Sequence, residues 1–430
     1  RPSQARGFPG MLSSPSGVSS PMSFGLFRVP EPINEPVQGH APGSPERARL
    51  KAAYAGLAGQ SFDVPLWIGG KAVRTGNTAP LICPHHRRKP LGVFHQAGAK
   101  DVNDAIVAAQ AARGEWAALD WEDRAAVFLR AATLLRGEFR DRLNAATMLG
   151  QSKTAHQAEI DAACELIDFF QFNVHFLTQL YREQPISAPG TWNRVEYRPL
   201  DGFVFAVTPF NFTSIAGNLP TAPALCGNTV VWKPASTAVL SGSVIMDLLH
   251  AAGLPPGVIN FVPGSGAQVG DAVIGHRDLG GVHFTGSTPV FKNMWRSIGN
   301  NIDNYGAYPR LVGETGGKDF VFAHPSADVE SLVNNLLRGA FEYQGQKCSA
   351  ASRAYIPDSL WPQVRERIAD ELPKLKVGPV EDFRNFMGAV IDARSYAKLK
   401  EAIDEARQRQ GGRVDEVFGG ECDDSQGYFI

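Results

Sequence analysis

The chain has 430 residues, of which 43% are hydrophobic and 20% are charged, and its formal net charge at pH 7 is -1. This length and composition predict a globular protein of two or three domains with sizeable cores. Basic and acidic residues are mixed along the chain, which argues against a nucleic-acid or anionic-membrane partner and favours a small-molecule one.

The first thirty residues contain three arginines, seven serines and no acidic residue. This composition is typical of a transit peptide, and a disordered or cloning-derived tail fits it nearly as well. The chain starts at Arg1 rather than at a methionine, so a fragment is expected at this end. We assign residues 1–45 to a transit-peptide-like leader and an N-terminal arm.

Five cysteines are scattered along the chain without a Cys-x-x-Cys pair: Cys83, Cys164, Cys226, Cys348 and Cys422. Their odd number and wide spacing argue against a disulfide framework or a structural zinc site, and favour a reducing compartment. The segment Cys83–His86 holds three potential metal ligands with no fourth in sight. We therefore predict an exposed loop there and no metal.

Helical periodicity dominates the chain between Asp101 and Leu180. From Ile186 to Leu200 the sequence alternates around a Pro-Gly turn at residues 189–190. This pattern predicts two short strands in an exposed arm, residues 183–199.

Short apolar runs alternate with helix-like segments after the arm: FVFAV (203–207), TVVW (229–232), VINFV (258–262) and VHF (282–284). This order predicts a parallel sheet in a doubly wound α/β domain, with ligands bound at the carboxyl ends of the strands. The uncharged stretch from Gly202 to Trp232 is long enough to span a membrane, but prolines and asparagines interrupt it. We assign it to buried strands and a helix, and we place the start of a second α/β region near Pro309.

Two turns between a strand and a helix are candidate nucleotide sites. Gly264–Gly270 resembles a dinucleotide fingerprint but is one residue too long, so alone it is a weak signal. Phe284–Thr288 can present backbone N–H groups at a helix N-terminus to a pyrophosphate. Together the two turns favour a nucleotide, although such turns are also common without a ligand.

Four single residues have both a functional and a structural interpretation. Lys233 ends a strand and can hydrogen-bond a ribose or phosphate, or simply solubilise the surface. Asn211 can donate to a developing oxyanion or form a turn. Glu314 has apolar neighbours, so we expect burial to favour a general base, the alternative being a satisfied structural carboxylate. Cys348 is either a nucleophile or a buried thiol.

Five motifs, in this order and at these intervals, resemble the aldehyde dehydrogenase superfamily over about residues 50–430: Thr208–Phe212, Trp232–Pro234, Phe284–Ser287, Glu314–Lys318 and Gln344–Cys348. Longer segments, among them DNYGAYPRLVGETGGKDF and FEYQGQKCSAASR, resemble its mitochondrial pyrroline-carboxylate dehydrogenase subfamily. The resemblance implies an aldehyde dehydrogenase fold of the α/β class. Its parts are a Rossmann-like NAD-binding domain (46–182 and 200–312), an oligomerisation hairpin (183–199) and an α/β catalytic domain (313–430).

The resemblance also implies roles for individual residues. Cys348 is the expected nucleophile, Glu314 the general base, and Asn211 with the backbone N–H of Cys348 the oxyanion hole. The cofactor is expected to contact Thr208, Lys233, Ser236, Gly286 and Ser287, and the substrate Lys347, Ser349 and Phe212. Lys347 can lower the pKa of the Cys348 thiol, attract a substrate carboxylate, or do both.

Two departures from the family pattern affect these expectations. Ser236 stands where many members have an acidic residue that chelates the ribose hydroxyls, so strict NAD preference is not assured and NADP is a candidate poorer substitute. The family continues beyond Phe429 with a nicotinamide-ribose motif, a substrate-carboxylate loop and a dimerising strand. The catalytic domain is therefore expected to be truncated.

The expected activity is NAD-dependent oxidation of L-glutamate 5-semialdehyde to L-glutamate in the mitochondrial matrix. The complete protein is expected to be a homodimer or larger homo-oligomer, with no nucleic-acid or membrane partner. Two alternatives stay open: a dehydrogenase of another semialdehyde, and an inactive binding or structural protein that keeps the nucleotide fold.

Overall fold

A computed structural model describes residues 28–430 of the chain. The predicted transit-peptide-like leader lies almost wholly outside the described residues. Within residues 28–430 none of the helices combines the length and the apolar character that crossing a membrane requires.

The helices of the described residues are α1 (Pro45–Ala58), α2 (Ala99–Ala118), α3 (Trp121–Arg136), α4 (Arg140–Gln151), α5 (Ala155–Ala158), α6 (Glu165–Arg182), α7 (Thr213–Leu225), α8 (Val239–Ala251), α9 (Gly266–Ile274), α10 (Thr288–Asn300), α11 (Val329–Phe341), α12 (Trp361–Glu371) and α13 (Ala393–Gln408). A π-helical turn, Glu159–Cys164, joins α5 to α6. The helical periodicity predicted between Asp101 and Leu180 is thus confirmed.

The strands are β1 (Phe62–Val64), β2 (Leu66–Ile68), β3 (Lys71–Val73), β4 (Thr78–Leu81), β5 (Gly92–His95), β6 (Phe203–Val207), β7 (Val230–Lys233), β8 (Ile259–Phe261), β9 (Leu279–Gly286), β10 (Arg310–Thr315), β11 (Phe320–Phe322) and β12 (Arg353–Tyr355). The largest sheet of the described residues has the order β10-β9-β6-β7-β8-β2-β3. Its first five strands are parallel, while β2 runs antiparallel to β8 and β3. The predicted parallel sheet is confirmed.

Strand β6 explains why the central strands are apolar at successive positions. Phe203 and Phe205 pack on one face of the sheet in a core shared with α2, whereas Val204 and Ala206 pack on the other face in a core shared with α3, α6, α7 and α8. A strand covered by helices on both faces has no polar side, so it reads as a continuous apolar run. The stretch from Gly202 to Trp232 accordingly forms β6, α7 and most of β7.

The exposed arm, residues 183–199, has the predicted turn but no strand. Its two halves are linked largely through side chains: Gln184 Nε2 donates to Val195 O at 3.4 Å, and Val195 N donates to Gln184 Oε1 at 2.9 Å. The prediction of two strands is wrong, because an isolated two-stranded hairpin with no further strand or core beside it is marginal in water.

Strand β10 crosses the predicted domain boundary between residues 312 and 313. It pairs with β9 from Arg310 to Thr315 and is the edge strand of the large sheet. The region that follows has its own small sheet, β11 with β12, covered by the packed pair α11 and α12. The division into domains remains a prediction.

The segment Cys83–His86 is not the exposed loop that we predicted. It forms a 3-10 turn in which Cys83 is 1% exposed and His85 is fully buried. The prediction was wrong because distant residues cover this turn: Tyr54 in α1 and Ser152 after α4 both hydrogen-bond His85.

Candidate active site

The carboxyl ends of four adjacent parallel strands place the candidate residues side by side. The register pairs Val207 with both Lys233 and Phe284, and it pairs Glu314 with Thr285. Residues that follow these strands therefore meet at one edge of the sheet, the place where open α/β sheets bind ligands.

A strained loop precedes Cys348. Helix α11 ends at Phe341, and the next turn contains Tyr343 at φ 52°, Gln344 at φ 56° and Gly345 at φ 67°. Left-handed backbone costs roughly 1–2 kcal/mol for a residue other than glycine, so surrounding contacts must hold it. Tyr343 Oη donates to Gln151 O at 2.9 Å, and Gln344 Nε2 donates to Ala389 O at 2.6 Å. These anchors fix the approach to Cys348.

The Cys348 thiol and the Glu314 carboxylate are in contact. The Sγ of Cys348 donates to Glu314 Oε1 at 3.5 Å, although 34 positions of sequence separate them. Gly317, in the turn after β10, permits this approach, because a Cβ there would lie 2.6 Å from the carbonyl oxygen of Cys348. The structure therefore joins the proposed nucleophile to the proposed base.

The electrostatics of Cys348 differ from the expectation. Burial raises the pKa of the half-buried thiol above its ordinary value, and the charge of Glu314 and its hydrogen bond raise the pKa further. Lys347 directs its ammonium elsewhere, to Glu342 at 3.2 Å and Asp161 at 3.6 Å. Of the two roles open to Lys347, lowering of the thiol pKa is therefore not supported by this geometry, and attraction of a substrate carboxylate stays a prediction.

Glu314 is exposed, so its expected burial is also wrong. The cause is its position on β10, the edge strand of the sheet, where helices of the described residues leave the strand largely uncovered. A carboxylate in this place can accept a proton from the thiol or from a water molecule that reaches it from solvent.

Asn211 is bound to the Cys348 loop. Its Nδ2 donates to Gln346 O at 3.0 Å, which leaves the second N–H of the amide free to donate. Its Oδ1 is buried without a hydrogen-bond partner among the described residues. The Gln346 carbonyl thus orients the amide with its donor side toward the loop that carries Cys348.

A cavity of about 790 Å³ opens beside these groups, lined by Cys348, Glu314, Ser349 and Phe212 among others. Ser349 is exposed and Phe212 is half-buried. Aromatic rings and two acidic side chains of α6 complete much of the wall: Glu165, Asp168, Phe169, Phe172 and Phe176. The cavity is large enough for a small organic substrate.

The sequence profile of the aldehyde dehydrogenase family matches residues 72–430, more than half of the chain.

The chain belongs to the aldehyde dehydrogenase family. It is 50% identical over 407 residues to the Δ1-pyrroline-5-carboxylate dehydrogenase of Agaricus bisporus, covering 94% of this chain and 74% of that protein. It is 48% identical over 398 residues to the mitochondrial Δ1-pyrroline-5-carboxylate dehydrogenase of Homo sapiens, covering 92% and 70%. The solved structure of the Δ-pyrroline-5-carboxylate dehydrogenase from Mycobacterium tuberculosis bound with NAD superposes with a TM-score of 0.92, at 52% identity over 95% of this chain and 76% of that one. The predicted aldehyde dehydrogenase fold is confirmed.

The residues predicted to hold the cofactor of this aldehyde dehydrogenase lie at the edge where the strands end. Lys233 is buried, which lowers the pKa of its ammonium to about 8, and its Nζ donates to Pro234 O at 3.1 Å. Thr208 is buried and accepts from Trp232 Nε1 at 2.9 Å. Gly286 ends β9, and Ser287 is the N-cap of α10.

These positions suit a dinucleotide. No side chain of the described residues caps the N-terminus of α10, so its first N–H groups can bind an anion. Ser236 is exposed at the start of a 3-10 turn, close enough to the end of β7 for a ribose to reach it. The other candidate turn, Gly264–Gly270, forms the start of α9, which begins at Gly266 and has Ser265 as its N-cap.

Two buried residues that the sequence did not single out lie beside Phe212, which is predicted to contact the substrate. Lys153 is fully buried, forms an ion pair with Asp161, and has its Nζ 4.5 Å from the centre of the Phe212 ring. Asp161 also pairs with Lys347, so one carboxylate holds two lysines around Phe212. No sequence signal connects these residues, because they meet only through tertiary packing.

Alkylation of Cys348 by iodoacetamide should accelerate as pH rises into the alkaline range, because the thiolate reacts and the pKa of this thiol is raised. Glu314→Gln removes a negative charge next to the sulfur, so it should lower that pKa and speed alkylation at neutral pH roughly three- to tenfold. Peptide-resolved mass spectrometry separates Cys348 from the other thiols.

Glu330→Gln is the matched control, since Glu330 is an exposed carboxylate paired with Arg367. Equal rates in the wild type and in Glu314→Gln would contradict the thiol–carboxylate contact. A Cys348 that reacts no faster than the other cysteines would favour the inactive-protein alternative.

Proposed function

We propose that this aldehyde dehydrogenase oxidises L-glutamate 5-semialdehyde to L-glutamate with NAD, a step of proline degradation. The observation that supports it most is the contact between Cys348 and Glu314 at 3.5 Å, beside a cavity at the ligand-binding edge of the sheet. Relatives named Δ1-pyrroline-5-carboxylate dehydrogenase, at about half identity over most of the chain, support the substrate.

The proposed chemistry begins with the thiol. Cys348 loses its thiol proton to solvent, and the thiolate, whose sulfur lies 3.5 Å from Glu314 Oε1, adds to the aldehyde carbon. The alkoxide that forms takes hydrogen bonds from the Asn211 amide and from the backbone N–H of Cys348. NAD, when bound, supplies the hydride acceptor.

The second half releases the acid. Loss of hydride leaves the substrate as a thioester on Cys348, and the same two donors stabilise its carbonyl oxygen. Glu314, exposed on the edge strand, takes a proton from the attacking water. The carbon–sulfur bond then breaks, and the product leaves as a carboxylate while the thiol is restored.

The substrate carboxylate is assigned to Lys347 and Ser349. Lys347 is half-buried, with its Nζ 5.6 Å from the centre of the Phe212 ring, and Ser349 lines the cavity next to the nucleophile. Phe212 offers an apolar surface to the aliphatic carbons between the two ends of the substrate. The ammonium of Lys347 already pairs with the carboxylates of Asp161 and Glu342, so the substrate carboxylate must compete with them for it.

Lys347→Met should separate the substrate from simpler aldehydes. We expect kcat/KM for L-glutamate 5-semialdehyde to fall about 10- to 100-fold, the effect of losing a hydrogen bond to a charged group. Activity with pentanal, which has the same carbon chain without the charged groups, should change much less. The measurement is initial-rate kinetics with both aldehydes.

Lys374→Met is the control, because Lys374 forms an exposed pair with Glu371. An equal loss with both aldehydes would assign Lys347 a structural role. A wild type that prefers a different semialdehyde in competition would favour the alternative enzyme, for which the acidic pair Glu165 and Asp168 in the cavity wall is the motivating observation.

Location and assembly complete the proposal. Several of the similar proteins are named mitochondrial, which supports the mitochondrial matrix as the location.

The exposed arm carries Ile186 at 92% and Trp192 at 81% exposure, which supports its role as an oligomerisation hairpin in a homodimer or larger homo-oligomer. NADP is proposed as a poorer substitute for NAD, since Ser236 brings no negative charge to the ribose.

A further inference from the structure

Four side chains with metal-binding atoms meet on the part of the molecule where α1 packs near the connection between β4 and β5. They are His85, His86 and Glu381, together with Cys83, whose Sγ lies 3.3 Å from His85 Nε2 but outside the compact group that the other three form. One imidazole nitrogen of each histidine and one carboxylate oxygen of Glu381 all lie within 4.8 Å of one another. The fourth ligand that the local sequence lacks thus comes from nearly 300 positions further along the chain.

Two distances at His85 match those of a tetrahedral ion. Zinc binds nitrogen and oxygen at about 2.0–2.2 Å and sulfur at about 2.3 Å, so neighbouring ligand atoms lie roughly 3.3–3.7 Å apart. His85 Nε2 lies 3.6 Å from Glu381 Oε2 and 3.3 Å from Cys83 Sγ. The hydrogen bond of 2.6 Å between His86 Nε2 and Glu381 Oε1 would have to open, and the Tyr54 hydroxyl would have to leave His85 Nε2. Cys83 Sγ would have to move closer to the other three ligand atoms.

The outer contacts already orient both imidazoles. His85 Nδ1 is 3.1 Å from Ser152 Oγ, which in turn accepts from Ala389 N at 2.8 Å. His86 Nδ1 is 3.1 Å from Gln426 Nε2. Metal-ligating histidines nearly always have their second nitrogen held in this way.

Tyr54 supplies a further outer contact. Its hydroxyl lies 2.9 Å from His85 Nε2 and 3.1 Å from Glu381 Oε2. An ion bound to His85 Nε2 would displace the first of these contacts and leave the second, which would then orient the ligating carboxylate.

A cavity of about 530 Å³ gives an ion access to the cluster. Its wall includes Cys83, His86, Glu381 and Tyr54. His86 is half-buried and Glu381 is exposed enough to meet solvent, whereas Cys83 and His85 close the inner side. The cluster is therefore buried at one end and open at the other.

We propose that Cys83, His85, His86 and Glu381 bind one divalent transition-metal ion of the zinc class. Imidazole, thiolate and carboxylate are all donors that zinc binds, and hard ions such as Mg²⁺ would not take the sulfur. Binding breaks the hydrogen bond between His86 and Glu381 and releases the thiol proton of Cys83 to solvent. The ion ties the β4–β5 connection to the segment that carries Glu381.

Cobalt and zinc alone are the probes. After treatment of the purified protein with a chelator, Co²⁺ should bind at one ion per chain, with the visible bands of a tetrahedral site and a thiolate charge-transfer band in the near ultraviolet. Zn²⁺ should displace Co²⁺ and raise the unfolding temperature, because it binds the folded state. Affinity should fall at least about 10- to 100-fold in Glu381→Gln and in His86→Ala.

His324→Ala, at an exposed histidine outside the cluster, should keep full affinity. Cys83→Ser tests the sulfur while preserving shape: it should lose the charge-transfer band and keep the tetrahedral bands. Wild-type binding well below one ion per chain would overturn the proposal, as would equal affinity in wild type and Glu381→Gln. Either result would leave the cluster as a hydrogen-bonded network, and neither bears on the dehydrogenase reaction.

Discussion

Cys348→Ala should lower kcat by at least about 10⁴-fold, because removal of a covalent nucleophile leaves only binding and oxyanion stabilisation. The Kd for NAD should stay close to that of the wild type, since the residues proposed to contact the cofactor are at the ends of β6, β7 and β9. Steady-state formation of reduced nicotinamide and calorimetric titration with NAD measure the two quantities.

Cys422→Ala is the matched control, because this half-buried thiol lies near the end of the described chain and contacts Gly420 O. It should retain wild-type kcat. Activity of Cys348→Ala within about tenfold of the wild type would remove the thioester from the mechanism. Loss of NAD binding in that variant would instead point to a collapsed site, which the thermal unfolding temperature would reveal.

Glu314→Gln should divide the reaction into a fast and a slow half. An amide cannot take a proton from water, so hydrolysis of the thioester should slow by about 10²–10⁴-fold and limit kcat. The first turnover should persist, because the pKa of Cys348 is no longer raised by the carboxylate charge. Intact-protein mass spectrometry should then find the acyl group accumulated on Cys348 after mixing with substrate and NAD.

The control for this experiment is again Glu330→Gln, whose carboxylate is on α11 and faces solvent. It should turn over at the wild-type rate with little acyl-enzyme. If Glu314→Gln loses the first turnover together with hydrolysis, the carboxylate is required to activate the thiol, and its assignment as the base for water alone would be wrong.

The sequence predicted the large sheet well because its central strands are short, apolar and separated by helices. The predicted strand FVFAV has the same first and last residues as β6 in the structure. Both faces of this strand are buried, so the apolar run has clear ends.

The exposed arm, residues 183–199, was predicted less well. Its alternating pattern and its turn are present in the sequence, but strands also need a neighbouring strand or core, and the sequence does not show whether one is there.

Long-range packing explains the errors around the site. Glu314 is exposed because β10 is an edge strand. The order of strands in a sheet cannot be predicted from local sequence periodicity, so the sequence did not reveal this exposure. Lys347 is next to Cys348 in sequence, but its ammonium pairs with Asp161, which lies on the π-helical turn far earlier in the chain. The segment at Cys83 lacked a fourth ligand until Glu381 was brought to it by the fold.

The motifs, by contrast, marked residues that the structure does bring together. Asn211 and Cys348 are joined through the Gln346 carbonyl, and Cys348 meets Glu314 directly. Their spacing in the chain has no simple geometric meaning, so the resemblance to a family was the signal that related them. Lys153 belongs to the same neighbourhood and went unnoticed, because no motif contains it.

Rapid mixing of the wild-type protein with NAD and L-glutamate 5-semialdehyde, followed by absorbance of the reduced nicotinamide, tests the central claim most directly. The account predicts formation of reduced nicotinamide that depends on the semialdehyde and disappears in Cys348→Ala. In Glu314→Gln the signal should become a burst of about one equivalent per site. Reduced nicotinamide formed equally well by Cys348→Ala, or no reaction of the wild type with this semialdehyde while it still binds NAD, would contradict the account.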